Sequence, residues 1–221
     1  PITDDDEFLE FLEYRAKPPV FLLDDFCFLA RNPAFPTAFF SYLRGLAISL
    51  DVPMIVASCE PLDSCVPPNK AASEFPGIFR VQSLGPFTAE ELAEMLAEQD
   101  RRCGISLSPS REQVDALSGR VPSVVQLTCA CYFEMLRNRS GSLSAKDHQE
   151  VRRQVAERTE REHRRIWATL SPDEKALLRD LAQGKQTNLK SNAAESLRAK
   201  GYLSENRIFS TVFAEFARNA P

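Results

Sequence analysis

Apolar residues recur along this chain in two rhythms, and the change between them organises it. Glu7 to Tyr14 sets apolar against acidic residues at helical spacing, which predicts a short amphipathic helix. Lys17-Pro18-Pro19 ends it, because proline cannot donate to a helix and disfavours helix in its predecessor. Val20-Phe21-Leu22-Leu23 is then apolar at every position, predicting a strand buried on both faces, as in a parallel sheet covered by helices. A helix is expected over 35–50, a second buried strand over 52–57, and a third strand over 78–84. Strand, helix and strand in alternation mark an α/β unit.

From Thr88 the rhythm is helical. Thr88-Ala89-Glu90-Glu91 reads as a capping box. Helices over 88–102, 109–118 and 121–139 follow, with Gly104 and Gly119 as terminators. A highly charged helix is expected over 145–166, carried by sparse apolar positions at Val151, Val155 and Ile166. Beyond Trp167, Ser171-Pro172-Asp173-Glu174 starts a helix with proline and acids in its first turn. A short helix over 187–200, a hairpin through Leu203 and Ile208, and a final helix over 211–218 complete a pattern that suggests a winged-helix module.

Charge supports a boundary near residue 145. Residues 1–149 hold 13 Lys+Arg and 21 Asp+Glu (−8), and residues 150–221 hold 14 and 10 (+4), which together make the net −4 of the 221-residue chain. That balance gives no general reason to expect nucleic-acid binding. No run of 18 apolar residues suggests a membrane span, and the acidic start does not resemble a signal peptide. The six cysteines include no CxxC pair and only two histidines accompany them, so zinc is not expected. Four cysteines lie in apolar segments, as reduced, buried thiols would, and a cytoplasmic setting is expected.

Val20-Phe21-Leu22-Leu23-Asp24-Asp25 carries the strongest chemical signal: an apolar strand delivering two carboxylates at its carboxyl end. Paired oxygen donors there suit a hard cation beside nucleotide phosphates. The same hexamer also fits a buried strand ending in a turn, where Asp is common. Ser58 ends the second strand and would place a polar group beside the carboxylates. His148 and His163, on the charged helix, are expected to be solvated. The six arginines from Arg152 to Arg165 alternate with Glu150, Glu157, Glu160 and Glu162, which predicts a self-paired solvated face.

The order of segments resembles the AAA-like ATP-binding domain of prokaryotic STAND proteins, and more distantly the origin-recognition and NB-ARC ATPases. FLLDDF (21–26) resembles Walker B, VPMIVASCEPL (52–62) the sensor-1 strand, and LGPFTAEELAEML (84–96) the start of a helical lid. SGRVPSVVQLTCACYF (118–133) resembles the lid's glycine–proline segment, and IWATLSPDEKALLRDLA (166–182) the start of a winged helix. The resemblance implies a mixed α/β, helix-rich chain. Residues 1–85 would form the C-terminal half of a P-loop core, 86–144 an all-α lid, and 145–221 a connector helix with a winged helix. It implies ATP or ADP with Mg²⁺ as cofactors, Asp24 as the metal-directing carboxylate, and Asp25 where many relatives have a catalytic Glu. It implies Ser58 as sensor 1 and Gly119 and Pro122 near the adenine, although proline is equally at home as the first residue of a helix.

One element of the resemblance is missing. None of the eight glycines, at 45, 77, 85, 104, 119, 141, 184 and 201, gives the G-x-x-x-x-G-K-[ST] phosphate cradle. The chain is therefore expected to be a portion of an ATPase, with no turnover by itself. The function implied is a nucleotide switch in signalling, partnered by an effector domain or protein, or by further copies in a homo-oligomer. A DNA-binding winged-helix ATPase of the origin-recognition kind and a non-catalytic adaptor are the rival readings.

Overall fold

In a computed structural model, the chain is described over residues 5–14, 19–67, 74–137, 142–204 and 206–220. It divides into two compact units, residues 1–82 and 83–221.

The first unit is built on two short parallel strands. Strand β1 (Phe21–Leu23) pairs with β2 (Met54–Val56) in the register Phe21↔Met54, Leu22↔Ile55, Leu23↔Val56. Helix α1 (Asp5–Glu13) precedes them, α2 (Phe26–Arg31) and α3 (Thr37–Ser49) lie between them in sequence, and α4 (Leu62–Cys65) follows. Phe26, Phe40 and Phe75 are fully buried and pack together, Phe26 stacked on Phe75 and edge-on to Phe40, with ring centroids 5.5 to 6.2 Å apart. They form the centre of a core that also takes Leu46 and Val52 and receives Phe21, Leu23, Met54 and Val56 from one face of the sheet.

Three expectations are corrected here. The strands are not buried on both faces: Leu22 is 71% exposed and its register partner Ile55 is 62% exposed. An apolar run fixes what a strand can bury, but an outer layer must exist before both faces are covered. The third strand is absent. Phe75–Ile78 is a single 3-10 turn, and residues 79–87 follow without regular structure, with Val81 and Leu84 largely exposed. Finally, Cys27 and Cys65 are not reduced thiols but a disulfide joining α2 to α4. The two helices leave the same ends of adjacent strands, which brings the Cα atoms to 4.7 Å. Cys59, Cys103, Cys129 and Cys131 remain thiols.

The second unit is helical apart from one hairpin. Helices α5 (Ala89–Cys103), α6 (Arg111–Ser118) and α7 (Pro122–Arg137) lie close to their expected bounds. Thr88 closes α5 with a reciprocal capping box to Glu91, and Gly104 and Gly119 end α5 and α6 at φ +65° and +58°. Asp100 fastens the following loop by accepting from the Leu107 backbone N–H and from the Ser106 and Ser108 hydroxyls. The charged segment is one 25-residue helix, α8 (Ala145–Thr169), longer than expected and opened by a Ser144–Asp147 capping box. Helices α9 (Pro172–Ala182) and α10 (Asn192–Ala199) follow. Strands β3 (Leu203–Ser204) and β4 (Arg207–Ile208) then pair antiparallel, and α11 (Thr211–Asn219) ends the described chain.

Two apolar clusters fill this unit. One gathers Leu92, Leu96, Val114, Val125, Tyr132, Val151 and Val155, and it includes Val212 of α11. The other gathers Trp167, Leu178, Leu197, Leu203 and Phe213. The C-terminal helix thus contributes to the core of the preceding helices. No helix among the described residues is long and apolar enough to cross a membrane.

The histidines are corrected as well. Along α8, the positions Val151, Val155, Thr159, His163 and Trp167 recur every four residues and all are buried, so His163 lies in the apolar stripe, not in solvent. His148 is half-buried, with Nδ1 2.9 Å from the Tyr132 hydroxyl. Three of the six arginines pair within the helix, Arg153 with Glu150 and Glu157, Arg164 with Glu160, and Arg165 with Glu162. Arg152 reaches instead to Glu215 of α11.

Candidate functional site

The candidate site forms where the two parallel strands end. Ala57 joins them: its N–H donates to the Leu23 carbonyl at 2.9 Å, and its carbonyl accepts from the Phe26 N–H at 3.0 Å. These bonds bracket Asp24 and Asp25 on one strand and leave Ser58 as the next residue on the other. Sequence reasoning placed these three residues at strand ends; the backbone pairing brings those ends together.

Asp25 has φ 49° and ψ 38°, in the left-handed region. A non-glycine residue there costs roughly 1 kcal/mol, and Asp is among the side chains that tolerate it best. This bend turns the strand directly into α2. Asp25 is the N-cap of that helix, yet its carboxylate makes no capping hydrogen bond. Asp24 Oδ1 accepts the Asp25 N–H at 2.9 Å, which orients the first carboxylate. Both side chains are exposed. The Ser58 hydroxyl is also exposed and donates to the Glu60 carbonyl at 2.6 Å.

One bracing pair was not foreseen. Arg31, in the last turn of α2, meets the Glu60 carboxylate at 2.5 Å and so ties the helix after Asp25 to the turn after Ser58. It becomes legible only once the strand ends are known to be neighbours, since 29 residues separate the partners.

Two exposed carboxylates fit Mg²⁺ better than a fully protein-coordinated ion. Mg²⁺ is commonly held by one or two carboxylates and completes its shell with water and phosphate oxygens. Among the described residues, no group of three or more His, Cys, Asp or Glu could hold a metal. The two carboxylates alone do not make a fully protein-coordinated cation site.

Gly119 and Pro122 belong to the second unit. Gly119 is buried, and a Cβ built on it would lie 2.3 Å from the Phe209 carbonyl oxygen and 2.5 Å from Phe209 Cδ2. Arg120 is left-handed too, at φ 62°, and its carbonyl accepts the Phe87 N–H. Beside this turn the Ser210 hydroxyl donates to the Leu117 carbonyl at 2.6 Å, fully inside the protein. Gly119 therefore seats the loop between β4 and α11. Pro122 is the first residue of α7 and is exposed.

A family profile described as "Novel STAND NTPase 2" matches residues 8–187. The chain belongs to this STAND NTPase family. The matched span covers the strand ends, helices α5 to α7, and the charged helix with α9. No curated protein and no solved structure matches the chain. Membership makes this an NTPase-type, nucleotide-linked chain.

Proposed function

We propose that this STAND-family chain is the nucleotide-switch portion of a signalling ATPase, and that Asp24, Asp25 and Ser58 form the cation-side half of its nucleotide site. The observation that carries the reading is the Ala57 clamp, which joins the strand end bearing Asp24 and Asp25, both exposed and the first oriented by the Asp25 N–H, to the strand end that continues into Ser58. In this reading Asp24 directs Mg²⁺, Asp25 faces the attacking water, and Ser58 senses the terminal phosphate. Mg²⁺ would supply charge neutralisation at the phosphates. Asp25 is one methylene shorter than the Glu of many relatives, which favours slow turnover and a long-lived bound state. The phosphate cradle is absent from these 221 residues, so the isolated chain is not expected to hydrolyse ATP.

Residues 83–221 would act as lid and winged helix, with Gly119 and Pro122 on the adenine side. The seating of Phe209 on Gly119 and the Ser210–Leu117 hydrogen bond support a lid that moves together with the C-terminal hairpin. Such a body could pass nucleotide state to an effector domain or to homo-oligomerisation. Two of the cations nearest a DNA-reading position are engaged within the unit. Lys200 pairs with Glu174 at 2.6 Å, and Arg198 donates to the Leu189 carbonyl at 2.8 Å. This favours a relay surface over the origin-recognition reading.

The test is Mg²⁺-dependent binding of a fluorescent ATP analogue by the full-length gene product and its Asp24→Asn form. Loss of at least about tenfold in Mg²⁺-dependent affinity, with Mg²⁺-independent binding unchanged, is expected. Equal Mg²⁺-dependent affinity in both forms would refute the assignment of Asp24. A gene product that binds no nucleotide at all would leave the adaptor reading in its place.

A further inference from the structure

Each strand end that carries a candidate site residue runs on into one half of the Cys27–Cys65 disulfide. Cys27 is the second residue of α2, directly after the turn at Asp25. Cys65 is the last residue of α4, which follows the Ser58–Glu60 turn. The bridge closes 38 residues of sequence and fastens one short helix to the other. With six and four residues, α2 and α4 are too short to persist without outside support, because helix nucleation is costly. Arg31 and Glu60 provide a second tie between the same segments, but both side chains are about half exposed, and such pairs contribute little.

The surroundings provide for the open form as well as the closed one. Cys27 and Cys65 are buried in the aromatic core of the first unit, where a reduced cysteine packs as a small hydrophobe. Cys65 Sγ lies 3.5 Å from the Glu60 carbonyl oxygen, which also accepts the Ser58 hydroxyl. In the disulfide that sulfur carries no proton; as a thiol it can donate to this carbonyl, whose two lone pairs admit both donors. Four further cysteines are thiols, and Cys59 and Cys103 among them are exposed. Where thiols are kept reduced, a disulfide is usually transient and catalytic or redox-sensing.

We propose that Cys27–Cys65 is a reversible redox latch on the strand ends that carry Asp25 and Ser58. Closed, it holds α2 against α4; opened by a dithiol reductant, it leaves them joined by packing and the Arg31–Glu60 pair. In opening, one reductant thiolate attacks a sulfur of the bridge, and the other cysteine leaves as a thiolate and takes a proton. The second reductant thiolate then displaces the first cysteine, which is protonated in turn, and the reductant departs as its own disulfide. Two electrons and two protons pass to the chain. An oxidised dithiol reverses each step. Any consequence for nucleotide binding rests on the function proposed above; the latch itself does not.

The experiment equilibrates the full chain, without denaturant, in mixtures of reduced and oxidised dithiothreitol. Thiol alkylation with peptide mass mapping reads the state of each cysteine, and hydrogen exchange reads the backbone. Cys27 and Cys65 are expected to pair with each other and to open and close reversibly as the mixture is changed. In the reduced chain the amides of α2 and α4 should exchange at least about tenfold faster, while those of α3 change less than about twofold. The double variant Cys27→Ala, Cys65→Ala should show the faster exchange in either mixture. Failure of the two cysteines to pair overturns the proposal, as does pairing of either with Cys59. A bridge that opens only when urea unfolds the first unit overturns it too, since that is a fixed structural bond. So does equal exchange of α2 and α4 in the two forms. No nucleotide enters these measurements, so their outcome is separate from that of the Asp24→Asn test.

Discussion

Gly119→Ala separates the two demands that the turn after α6 makes on its glycine. The first is conformational: at φ +58° any Cβ is strained, which costs an L-residue about 1–2 kcal/mol. The second is packing. The new methyl would sit 2.3 Å from the Phe209 carbonyl oxygen and 2.7 Å from its carbonyl carbon. Those are backbone atoms and cannot rotate aside, so the segment at Phe209 must move. Moving it endangers the buried Ser210–Leu117 hydrogen bond, whose loss leaves unsatisfied groups worth about 1–3 kcal/mol. Together these give roughly 2–5 kcal/mol. Gly104→Ala supplies the reference, since Gly104 has φ +65° and nothing within 4 Å of a built Cβ. It should cost only about 1–2 kcal/mol. Urea unfolding followed through Trp167, the single tryptophan, reports on the second unit in both variants. If the two substitutions cost the same, Phe209 yields freely. The tight seating of the hairpin on the lid turn would then be wrong.

Acid should unload this unit in two separable windows. Burial pushes the His163 imidazole down from its ordinary 6.5 to about 4, so between those values the unfolded chain binds a proton that the folded one refuses. Stability is complete above pH 6.5 and falls by roughly 3 kcal/mol as pH drops to 4; His163→Leu should flatten that window, as read by the urea midpoint against pH. Glu174 gives the lower window. Burial raises its carboxyl, but Lys200, the Ser171 backbone N–H and the Ser196 hydroxyl outweigh burial and hold it at about 2, below its ordinary 4.5. Its contribution is therefore complete above pH 4.5 and is lost towards pH 2, again by roughly 3 kcal/mol. Glu174→Gln should remove this acid dependence and lower stability at neutral pH by leaving the Lys200 ammonium without its carboxylate. A slope unchanged in Glu174→Gln would show that the Lys200 contact contributes little.

Local chemistry made much of the helical half readable. Thr88 with Glu91 gave a capping box, Ser171 to Glu174 a helix start, and Gly104 and Gly119 left-handed terminators, because each signal is satisfied within one turn of chain. What failed depended on neighbours that no local pattern specifies. Residues 78–84 read as a strand, but a strand needs a partner edge, and among the described residues none pairs with this segment. His163 was misjudged from Glu162 and Arg164 beside it, although Thr159 and Trp167, four residues either way, mark it as part of a buried stripe. At the candidate site, Asp24, Asp25 and Ser58 were visible because an apolar run ending in polar residues is a one-dimensional signal. The Arg31–Glu60 brace was not, because it exists only through the pairing of two strands.

That pairing also links the exposed sheet face to the proposed cation site. Side chains alternate along a strand, so Phe21 and Leu23 face the core while Leu22 faces away with its partner Ile55. The same alternation, carried one residue beyond β1, sets Asp24 on the side of Leu22, and Asp24 is exposed. Parallel strands are ordinarily covered on both faces. A layer lying over Leu22 and Ile55 would therefore approach Asp24 as well, and could bring the phosphate-binding groups that a two-carboxylate site requires. The exposed apolar face and the exposed leading carboxylate thus have one cause: among the described residues, β1 and β2 present the side that carries Leu22, Ile55 and Asp24 without a covering layer.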